Sequence, residues 1–405
     1  ENSPIHYLAG FWAAVAAGRP VILGNPDWRR HDWIQLQAKF GPSLEMVGGP
    51  SLDFTGREAD LPGPGEILIP TGGSGGSIKL ARHRWETLAA AARGLAEFLG
   101  EGPIHSFCVL PLCHVSGIMQ SVRALLTGGS LELRDWRQWR ASGFPPPRFQ
   151  EPGYLSLVPT QLQAILRQGA QPESLLGGYQ GIFLGGADWS DSVGREFCRK
   201  KGLPIFSCYG MTETAAMVTV QEIRDFQAGL NSVGRCLPHA RVEVKTNTGE
   251  SAGPVQIRAA SLFRGYWGEP HRDPGDGFET GDLGIWQDGR LIIQGRRDQV
   301  LITGGEKVDP EAVAKVLEAH RQVRSALVFG RDHSHWGQEV VALVETEPFQ
   351  PDLEHVLKSY LQEHLVAYKI PRRWWFVDQI PRTAAGKPDW SRIEAGLTAD
   401  DRFDL

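Results

Sequence analysis

The 405-residue chain has 41% hydrophobic and 22% charged residues and a formal net charge of -5. A chain of this length exceeds the size at which one hydrophobic core stops growing, so we expect at least two domains. The composition is that of a folded protein rather than a disordered one. The positive charges are scattered rather than clustered, which argues against nucleic acid as a partner.

Cysteine usage and the N-terminal stretch predict a cytoplasmic protein. The five cysteines are Cys108, Cys113, Cys198, Cys208 and Cys236. They form no C-x-x-C pair, which argues against a disulfide framework or a zinc ribbon. The apolar run near the N-terminus is broken by Gly10, Gly18 and Pro20, so we expect neither a signal peptide nor a membrane-spanning helix.

In chain order, the first predicted element is a helix that Ser3 caps and that begins at Pro4. Its apolar face is formed by Leu8, Phe11, Trp12 and Val15. A second helix is predicted at 85–99 and ends before Gly100. Short apolar runs predict strands at 21–23, 67–69, 107–110, 155–158, 182–184 and 205–207. Because most of the later runs precede a helical stretch, the pattern indicates a mainly parallel α/β sheet.

From about residue 240 the pattern changes to short antiparallel strands at 241–245, 256–259, 283–286 and 291–294. Asp288-Gly289 between the last two predicts a hairpin. The tail from about residue 299 predicts a small α+β domain, with helices capped by Asp309 and Asp352. The apolar face predicted for the second of these helices is Leu353, Val356, Leu357, Tyr360 and Leu361.

A loop rich in glycine and hydroxyl side chains follows the predicted strand 67–69. Its residues are Thr71, Gly72, Gly73, Ser74, Gly75, Gly76, Ser77, Ile78 and Lys79. Such a loop can wrap backbone amides around phosphate. It is not a Walker loop, because Lys79 lies three residues after Gly76 and is followed by Leu80. The alternative interpretation is a flexible surface turn.

Residues 209–214, Tyr-Gly-Met-Thr-Glu-Thr, follow a strand that is predicted to end near Ser207. Open α/β sheets bind ligands beyond the carboxyl ends of their strands. Glu213 can hold Mg²⁺ against ATP phosphates there, because magnesium prefers one or two carboxylates plus substrate oxygens. The alternative is that Glu213 starts a helix and balances the helix dipole.

Six motifs occur in the order seen in the adenylate-forming superfamily, which contains acyl-CoA synthetases, luciferases and adenylation domains of peptide synthetases. They are the glycine loop and segments 209–214, 280–282, 295–298, 304–306 and 381–387. The chain resembles this superfamily from about residue 1 to 395. The resemblance implies a large N-terminal α/β domain with a β-barrel portion, residues 1–297, and a small mobile C-terminal α+β domain, residues 298–405, hinged near Asp298.

The resemblance also implies roles for single residues. ATP would be bound by the glycine loop and by Gly185, Gly186, Ala187, Tyr209, Gly210, Asp282 and Arg296. Thr212 and Glu213 would face the phosphates and Mg²⁺, and Lys387 would contact the substrate carboxylate and the α-phosphate. These residue types suit the chemistry, since an Asp can accept from both ribose hydroxyls and a lysine can stabilise developing negative charge.

A narrower resemblance is to the short bacterial o-succinylbenzoate–CoA ligases of menaquinone and phylloquinone synthesis. It rests on segments 111–117 and 231–234 and on the short region before the glycine loop. One departure from the superfamily pattern is Ile78, which stands where proline is usual before the loop lysine. In such enzymes His114 would lie near the acyl site, and the alternative is a core histidine. A second substrate carboxylate needs a cationic pocket wall, which the sequence does not identify.

We therefore expect an enzyme that uses ATP, Mg²⁺ and coenzyme A to activate a small-molecule carboxylic acid through an acyl-adenylate, with oligomerisation left open. One alternative is an adenylating enzyme for another acid or for a carrier-protein acceptor. A non-enzymatic ATP-binding regulator is the alternative from another class. The joint presence of Glu213 and Lys387 argues against it.

Overall fold

The structure is a computed structural model, and the residues it describes are 3–26, 28, 33, 34, 36, 40, 62–72, 78–146, 151–168, 171–186, 189, 192–246, 252–273, 275–296, 301–303, 306–333, 336–346, 352–383 and 386–397. The chain divides into two compact units. The first comprises Glu1–Gly186, Gly202–Glu243 and Gln256–Phe278, and the second comprises Ala187–Lys201, Val244–Val255 and Glu279–Leu405. No helix within the described ranges combines the length and apolar character needed to cross a bilayer.

The first predicted helix is confirmed as α1, Pro4–Ala16. Ser3 stands at its N-cap position, but its side chain makes no capping hydrogen bond, so the predicted side-chain cap is wrong. Its carbonyl oxygen instead accepts from the Tyr7 amide at 3.1 Å. Phe11 packs into a buried cluster with Ile67 and Leu88, so the apolar face of the helix anchors it to the core.

The glycine loop joins two antiparallel strands rather than a strand and a helix. A three-stranded sheet has the order β1-β2-β3, with β1 at Val21–Ile22, β2 at Glu66–Gly72 and β3 at Ile78–Arg84. Strand β3 was not predicted, because its polar residues Lys79, Arg82 and Arg84 hide the apolar alternation. Helix α2, Trp85–Leu99, follows directly and ends at Gly100 in the left-handed conformation, as predicted.

A seven-stranded sheet forms the middle of the first unit, in the order β10-β9-β8-β7-β6-β4-β5. Its strands are β4 Ser106–Cys108, β5 Leu131–Leu133, β6 Tyr154–Leu157, β7 Gly181–Leu184, β8 Ile205–Met211, β9 Ala216–Val220 and β10 Arg235–Cys236. Strands β5, β4, β6, β7 and β8 pair in parallel, which confirms the predicted mainly parallel sheet. Along the chain, the helices between these strands are α3 Val115–Thr127, α4 Trp136–Ala141, α5 Pro159–Gln168, α6 Pro172–Gly177, α7 Ser192–Lys200 and α8 Ile223–Gln227. Of these, α7 belongs to the second unit.

Strand β8 does not end near Ser207, as the sequence predicts, but continues to Met211. Its parallel pairing with β7 ends at Ser207, and from Cys208 onward it pairs antiparallel with β9. The backbone amides and carbonyls of β8 that no longer have a parallel neighbour therefore form hydrogen bonds with β9. Gly210 is required at this pairing, because a Cβ atom there would lie 1.9 Å from the Ala216 carbonyl oxygen.

A four-stranded sheet follows in the order β11-β12-β13-β14. Its strands are β11 Ala240–Val244, β12 Gly253–Ala259, β13 Phe278–Gln287 and β14 Arg290–Arg296. The predicted hairpin is confirmed, since Gln287 pairs with Arg290 across Asp288 and Gly289. The two turn residues have φ values of 52° and 71°, which is the backbone that an Asp-Gly turn adopts most readily.

The C-terminal stretch is α+β, as predicted. One sheet has the order β16-β15-β18-β17, and β19 pairs in parallel with β18. The elements are β15 Leu301–Thr303, β16 Glu306–Val308, α9 Pro310–Glu318, β17 Val323–His333, β18 Gly337–Thr346, α10 Leu353–His364, β19 Arg373–Val377 and α11 Trp390–Gly396. Asp309 caps α9 by accepting from the Glu311 amide at 3.0 Å, whereas Asp352 makes no side-chain cap for α10.

The predicted apolar face of α10 is right except at one residue. Leu353, Leu357 and Leu361 are buried, and Tyr360 packs against the same cluster. Val356 is 40% exposed, so its placement on that face is wrong. It lies about 100° around the helix from the centre of the three leucines, at the edge of the buried stripe.

Candidate active site

The β2–β3 hairpin holds the two ends of the glycine loop together. Thr71 pairs with Lys79 and Gly72 with Ile78 across the two strands. Gly73, Ser74, Gly75 and Gly76 lie outside the described residues. Lys79 is exposed, and its Nζ is 5.1 Å from the ring centroid of Tyr266.

The residues predicted to flank adenine meet at the carboxyl edge of the parallel sheet. Gly185 and Gly186 follow the last residue of β7, and Tyr209 follows the last parallel pair of β8. A Cβ atom at Gly185 would lie 2.7 Å from the Cys208 Sγ, so the end of β7 and Cys208 of β8 are in close contact. Ala187 lies outside the described residues. The structure thus brings Gly185, Gly186 and Tyr209 to the edge where such sheets bind ligands.

A tight turn at residues 211–216 carries Thr212 and Glu213. Its three central residues, Thr212–Thr214, form one turn of 3-10 helix. The Thr214 hydroxyl accepts from the Met211 amide at 3.0 Å and lies 3.0 and 2.5 Å from the carbonyl oxygens of Met211 and Ala216. Ala215 and Ala216 have φ values of 52° and 88°, a strained backbone for residues with a side chain. The turn is therefore held in one conformation, and Thr214 holds it.

Glu213 has a buried carboxylate with an identified donor. It is 7% exposed, and its Oε1 accepts from the Tyr266 hydroxyl at 2.6 Å. Its carbonyl oxygen accepts from the Phe263 amide at 2.8 Å. Strand β9 follows the turn at Ala216, so no α-helix begins here whose dipole Glu213 could balance. The carboxylate is thus fixed by tertiary contacts.

Tyr266 connects Lys79 and Glu213, and the sequence did not identify it. Its backbone forms an isolated antiparallel bridge with Ala81 of β3. Burial and the neighbouring Glu213 carboxylate raise the pKa of the Tyr266 hydroxyl, so the phenol stays protonated and donates. No local motif signals this role, because the two hydrogen-bonded residues are separated by 53 positions.

His83 supports the same turn from the other side. It is fully buried, with its Nε2 at 2.8 Å from the Thr212 carbonyl oxygen and its Nδ1 at 3.0 Å from the Thr87 hydroxyl. Burial lowers the pKa of His83 to about 4, so the ring is neutral near pH 7. Since a carbonyl only accepts, Nε2 carries the proton. This histidine was also missed from the sequence.

The donor set at the turn fits a magnesium ion that is shared with a substrate. No cluster of three or more His, Cys, Asp or Glu side chains suited to a metal occurs within the described ranges. Glu213 therefore offers one carboxylate, beside the Thr212 hydroxyl. Mg²⁺ commonly binds proteins through one or two carboxylates and takes its other oxygens from phosphates and water.

Asp282 and Arg296 are paired in the second unit. They are cross-strand neighbours on β13 and β14, and Arg296 Nη1 lies 3.5 Å from Asp282 Oδ1. Asp282 is 6% exposed, and its amide donates to the Thr280 hydroxyl at 3.1 Å. The structure thus joins two of the residues predicted to bind the nucleotide, and Arg296 keeps a partly exposed guanidinium.

Lys387 also lies in the second unit, on a short loop closed by hydrogen bonds. The Thr383 amide donates to the Lys387 carbonyl at 2.8 Å, and Arg382 bridges to Pro388. Arg382 Nη1 also donates to the Gly386 carbonyl at 3.1 Å. The Lys387 side chain is exposed, and its ammonium has no partner in the described part of the chain. The loop is held by backbone hydrogen bonds and by the Arg382 guanidinium, so the Lys387 charge takes no part in holding it.

Helix α3 carries two candidate substrate residues. His114 stands at its N-cap position without a side-chain capping bond and is half-buried. Arg123, about two and a half turns further along, is 3% exposed, and its Nε has no hydrogen-bond partner among the described residues. Its guanidinium carbon is 6.0 Å from the Phe183 ring centroid. Phe183 lies in β7, two residues before Gly185.

Arg123 keeps its charge although it is buried. Burial lowers the pKa of its guanidinium to about 10, while the neighbouring Cys208 and Cys108 act in the opposite direction. Burial also raises the pKa of both thiols to about 12, so they are neutral and cannot balance the arginine. A buried cation without a carboxylate is costly, so Arg123 is a candidate for binding an anion that is not part of the chain. The sequence did not identify it.

Comparison with known proteins gives consistent matches. The 2-succinylbenzoate–CoA ligase of Haemophilus influenzae is 31% identical over 380 residues, which cover 89% of this chain and 78% of that protein. The corresponding ligase of Geobacillus kaustophilus is 28% identical over 84% of this chain and 70% of that protein. The structure of o-succinylbenzoate CoA synthetase from Bacillus subtilis in complex with its acyl-adenylate intermediate superposes with a TM-score of 0.67. It is 26% identical and covers 80% of this chain and 67% of that one.

Two family matches account for most of the chain. Residues 312–387 match the AMP-binding enzyme C-terminal domain. Residues 6–267 match the AMP-binding enzyme family, and they include the glycine loop, the turn with Glu213 and helix α3. The chain therefore belongs to the AMP-binding enzyme family, with a large N-terminal and a small C-terminal α/β region.

Proposed function

We propose that this protein is an ATP-dependent acid–CoA ligase that works through an acyl-adenylate and that its acid is o-succinylbenzoate. Family membership and the repeated similarity to 2-succinylbenzoate–CoA ligases support the reaction class. The observation that carries the choice of acid is Arg123, a buried charged side chain on the helix that begins at His114.

Arg123 supports an acid with a second carboxylate. One carboxylate of o-succinylbenzoate is activated, and the other remains ionised on the ring. That remaining charge needs a partner inside the protein, because a buried unpaired carboxylate is costly. An arginine fork matches carboxylate geometry, and Arg123 has no carboxylate partner in the described part of the chain. Arg123 thus supplies the cation that the sequence did not identify.

The nucleotide and the metal have assigned positions in this proposal. The Thr71–Lys79 hairpin loop binds the ATP phosphates, and Gly185, Gly186 and Tyr209 bind adenine. Asp282 accepts from the ribose hydroxyls, with Arg296 beside it. Glu213 and Thr212 hold Mg²⁺, which supplies charge neutralisation at the phosphates when it is bound. A domain boundary at residues 297/298 with Asp298 as a hinge belongs to the same proposal and rests on the sequence resemblance.

The chemistry proceeds in two steps. A carboxylate oxygen attacks the α-phosphorus of ATP, the bond from this phosphorus to the bridging oxygen breaks, and pyrophosphate leaves. The coenzyme A sulfur then attacks the carbonyl carbon, the bond from that carbon to the AMP oxygen breaks, and the thiol proton passes to water. The chain contributes positioning and charge through the hydrogen-bonded Glu213 and the cations Lys79 and Lys387, in a reaction that spreads negative charge.

A panel of carboxylic acids with ATP and coenzyme A tests this proposal. We expect o-succinylbenzoate to give the fastest pyrophosphate release and long-chain fatty acids to be poor substrates. A preference for a fatty acid or acetate would refute the choice of acid while leaving adenylation intact. Replacing coenzyme A with a carrier protein tests the alternative acceptor. ATP that stays bound and unchanged with every acid would favour the non-enzymatic regulator.

We predict that Tyr266→Phe weakens the use of Mg²⁺ because Glu213 loses its donor. A hydrogen bond to a charged group contributes about 1.5 to 3 kcal/mol, so kcat/KM at limiting Mg²⁺ should fall roughly 10- to 100-fold. The measurement is pyrophosphate release as a function of Mg²⁺ concentration. Glu213→Gln should lose more activity at every concentration. Tyr179→Phe is the matched control, because its buried hydroxyl has no partner among the described residues. An unchanged Mg²⁺ dependence in Tyr266→Phe would rule out the positioning role.

We predict that Asp282→Asn weakens ATP binding through the ribose. The loss should be roughly 10- to 100-fold in ATP affinity, since a charged acceptor for two hydroxyls is removed. The measurement compares ATP with 2′,3′-dideoxy-ATP. Wild type should bind the dideoxy nucleotide weakly, and the variant should bind both nucleotides with similar, low affinity. If the variant lost the same factor with both nucleotides, Asp282 would serve only to pair with Arg296.

A further inference from the structure

A cavity in the first unit is lined by none of the residues assigned to the reaction. It has a volume of about 530 Å³. Its lining includes His239, Arg241, Arg258, Arg264, Arg272 and Glu86. Neither Lys79, Tyr209 nor Glu213 contributes to it. Its size is within the range of pockets that bind small molecules.

Three of the four arginines at this cavity have no carboxylate partner among the described residues. Arg258 Nη1 donates to the Gly275 carbonyl at 2.6 Å, and Arg272 Nη2 donates to the Gly277 carbonyl at 2.7 Å. Carbonyl oxygens fix the position of a guanidinium without neutralising it. The Arg264 side chain has no hydrogen-bond or ion-pair partner in the described ranges. The arginines are therefore partly positioned in advance for an anion.

The carboxylates nearby are too few to balance these charges. Arg241 is paired with Glu243, with 3.0 Å between Nε and Oε1. Glu86 is the single acidic residue among those that line the cavity in the described structure. Asp273 and Asp276 lie in the turn that supplies the carbonyl oxygens, but they do not line the cavity. The lining thus keeps a positive charge.

His239 adds a polar side chain that lacks a protein partner. Neither ring nitrogen has a hydrogen-bond partner among the described residues, and both are buried. The ring lies against helix α2 at Gly94, where a Cβ atom would be 2.0 Å from Nδ1. Burial lowers the pKa of His239 to about 4, so near pH 7 the ring is neutral and can donate one hydrogen bond. The ring is therefore a neutral part of the cavity wall and does not offset the arginine charges.

We propose that this cavity is a binding site for a small phosphate-bearing anion, separate from the ATP site. Arginine forks at Arg258, Arg264 and Arg272 match phosphate oxygens, and charge-assisted hydrogen bonds of this kind are strong. The site also adjoins the catalytic turn, because Thr87 lines the cavity and bonds to His83, which in turn bonds to the Thr212 carbonyl. A bound anion is thus two side chains away from Thr212.

Isothermal titration of the full chain with inorganic pyrophosphate tests the site. Saturating α,β-methylene-ATP with Mg²⁺ first fills the adenine and phosphate positions of the catalytic site, so that added pyrophosphate can respond only at this cavity. Wild type should bind one equivalent, and Arg258→Gln combined with Arg264→Gln should weaken binding at least about tenfold. Arg93→Gln is the matched control, because Arg93 is exposed on α2 outside the cavity. It should leave binding unchanged.

Titrations with other anions and one further variant identify the kind of anion that binds. Parallel titrations with inorganic phosphate and with adenosine 3′,5′-bisphosphate distinguish a free phosphate from a phosphate on a nucleotide. Glu86→Gln removes the acidic lining residue and should tighten binding several-fold, so the proposal stays testable if the double variant fails to fold. Absence of binding to wild type at millimolar anion would overturn the proposal. Equal binding by wild type and the double variant would do the same. Neither result bears on the acid–CoA ligase activity.

Discussion

Replacing Lys387 with alanine is expected to slow adenylation roughly 100- to 1000-fold while sparing thioester formation from a supplied acyl-adenylate. Removing one charge contact from a dry site typically costs about 3 to 4 kcal/mol in the transition state. Negative charge develops on the α-phosphate and the leaving pyrophosphate only in the first half-reaction. The sequence resemblance implies a mobile small domain, and we expect it to adopt a second orientation, without this lysine at the reacting atoms, for the second half-reaction.

The loop around Lys387 makes this variant informative. Its conformation depends on backbone hydrogen bonds of Thr383 and Lys387 and on the Arg382 guanidinium, none of which requires the lysine ammonium. Lys387→Ala should therefore unfold at the wild-type temperature. Pyrophosphate release measures the first half-reaction, and thioester formation from synthetic acyl-adenylate and coenzyme A measures the second. Equal losses in both would make Lys387 a general binding residue and remove the main support for two orientations.

Replacing Arg123 with methionine is expected to abolish the preference for an acid with a second carboxylate. Truncating one partner of a buried charge pair costs about 2 to 5 kcal/mol, so kcat/KM for o-succinylbenzoate should fall by a factor of roughly 30 to several thousand. For 4-oxo-4-phenylbutanoate, which lacks the ring carboxylate, the variant should be as active as wild type or more so. Methionine fills a similar volume without charge, so the packing near Phe183 is kept.

Two controls separate recognition from folding. Arg123→Lys keeps the charge but loses the fork, and it should retain part of the preference. Arg93→Met removes a positive charge from an exposed position and should leave kcat/KM for both acids unchanged. A similar loss for both acids in Arg123→Met would mean that the arginine stabilises the helix and sheet rather than the substrate. The choice of acid would then lose its structural support.

The amino-acid sequence by itself determined the elements whose signals are local. Helix α2 begins and ends where its periodicity and Gly100 predict. The Asp288-Gly289 hairpin and the Asp309 cap are also as predicted. Each depends on residues within about one helical turn of each other, so a short stretch of sequence contains all the information needed. The order of the motifs was enough to identify the family.

Only the tertiary structure decided how the candidate site is supported. The Tyr266 hydroxyl bonds to Glu213 across 53 positions, and His83 bonds to Thr212 across 129. The extension of β8 beyond Ser207 depends on pairing with β9, and the unbalanced charge of Arg123 depends on which side chains surround it. None of these contacts produces a repeating pattern in the sequence. Contacts between distant segments follow from how helices and strands pack, which a single sequence does not display.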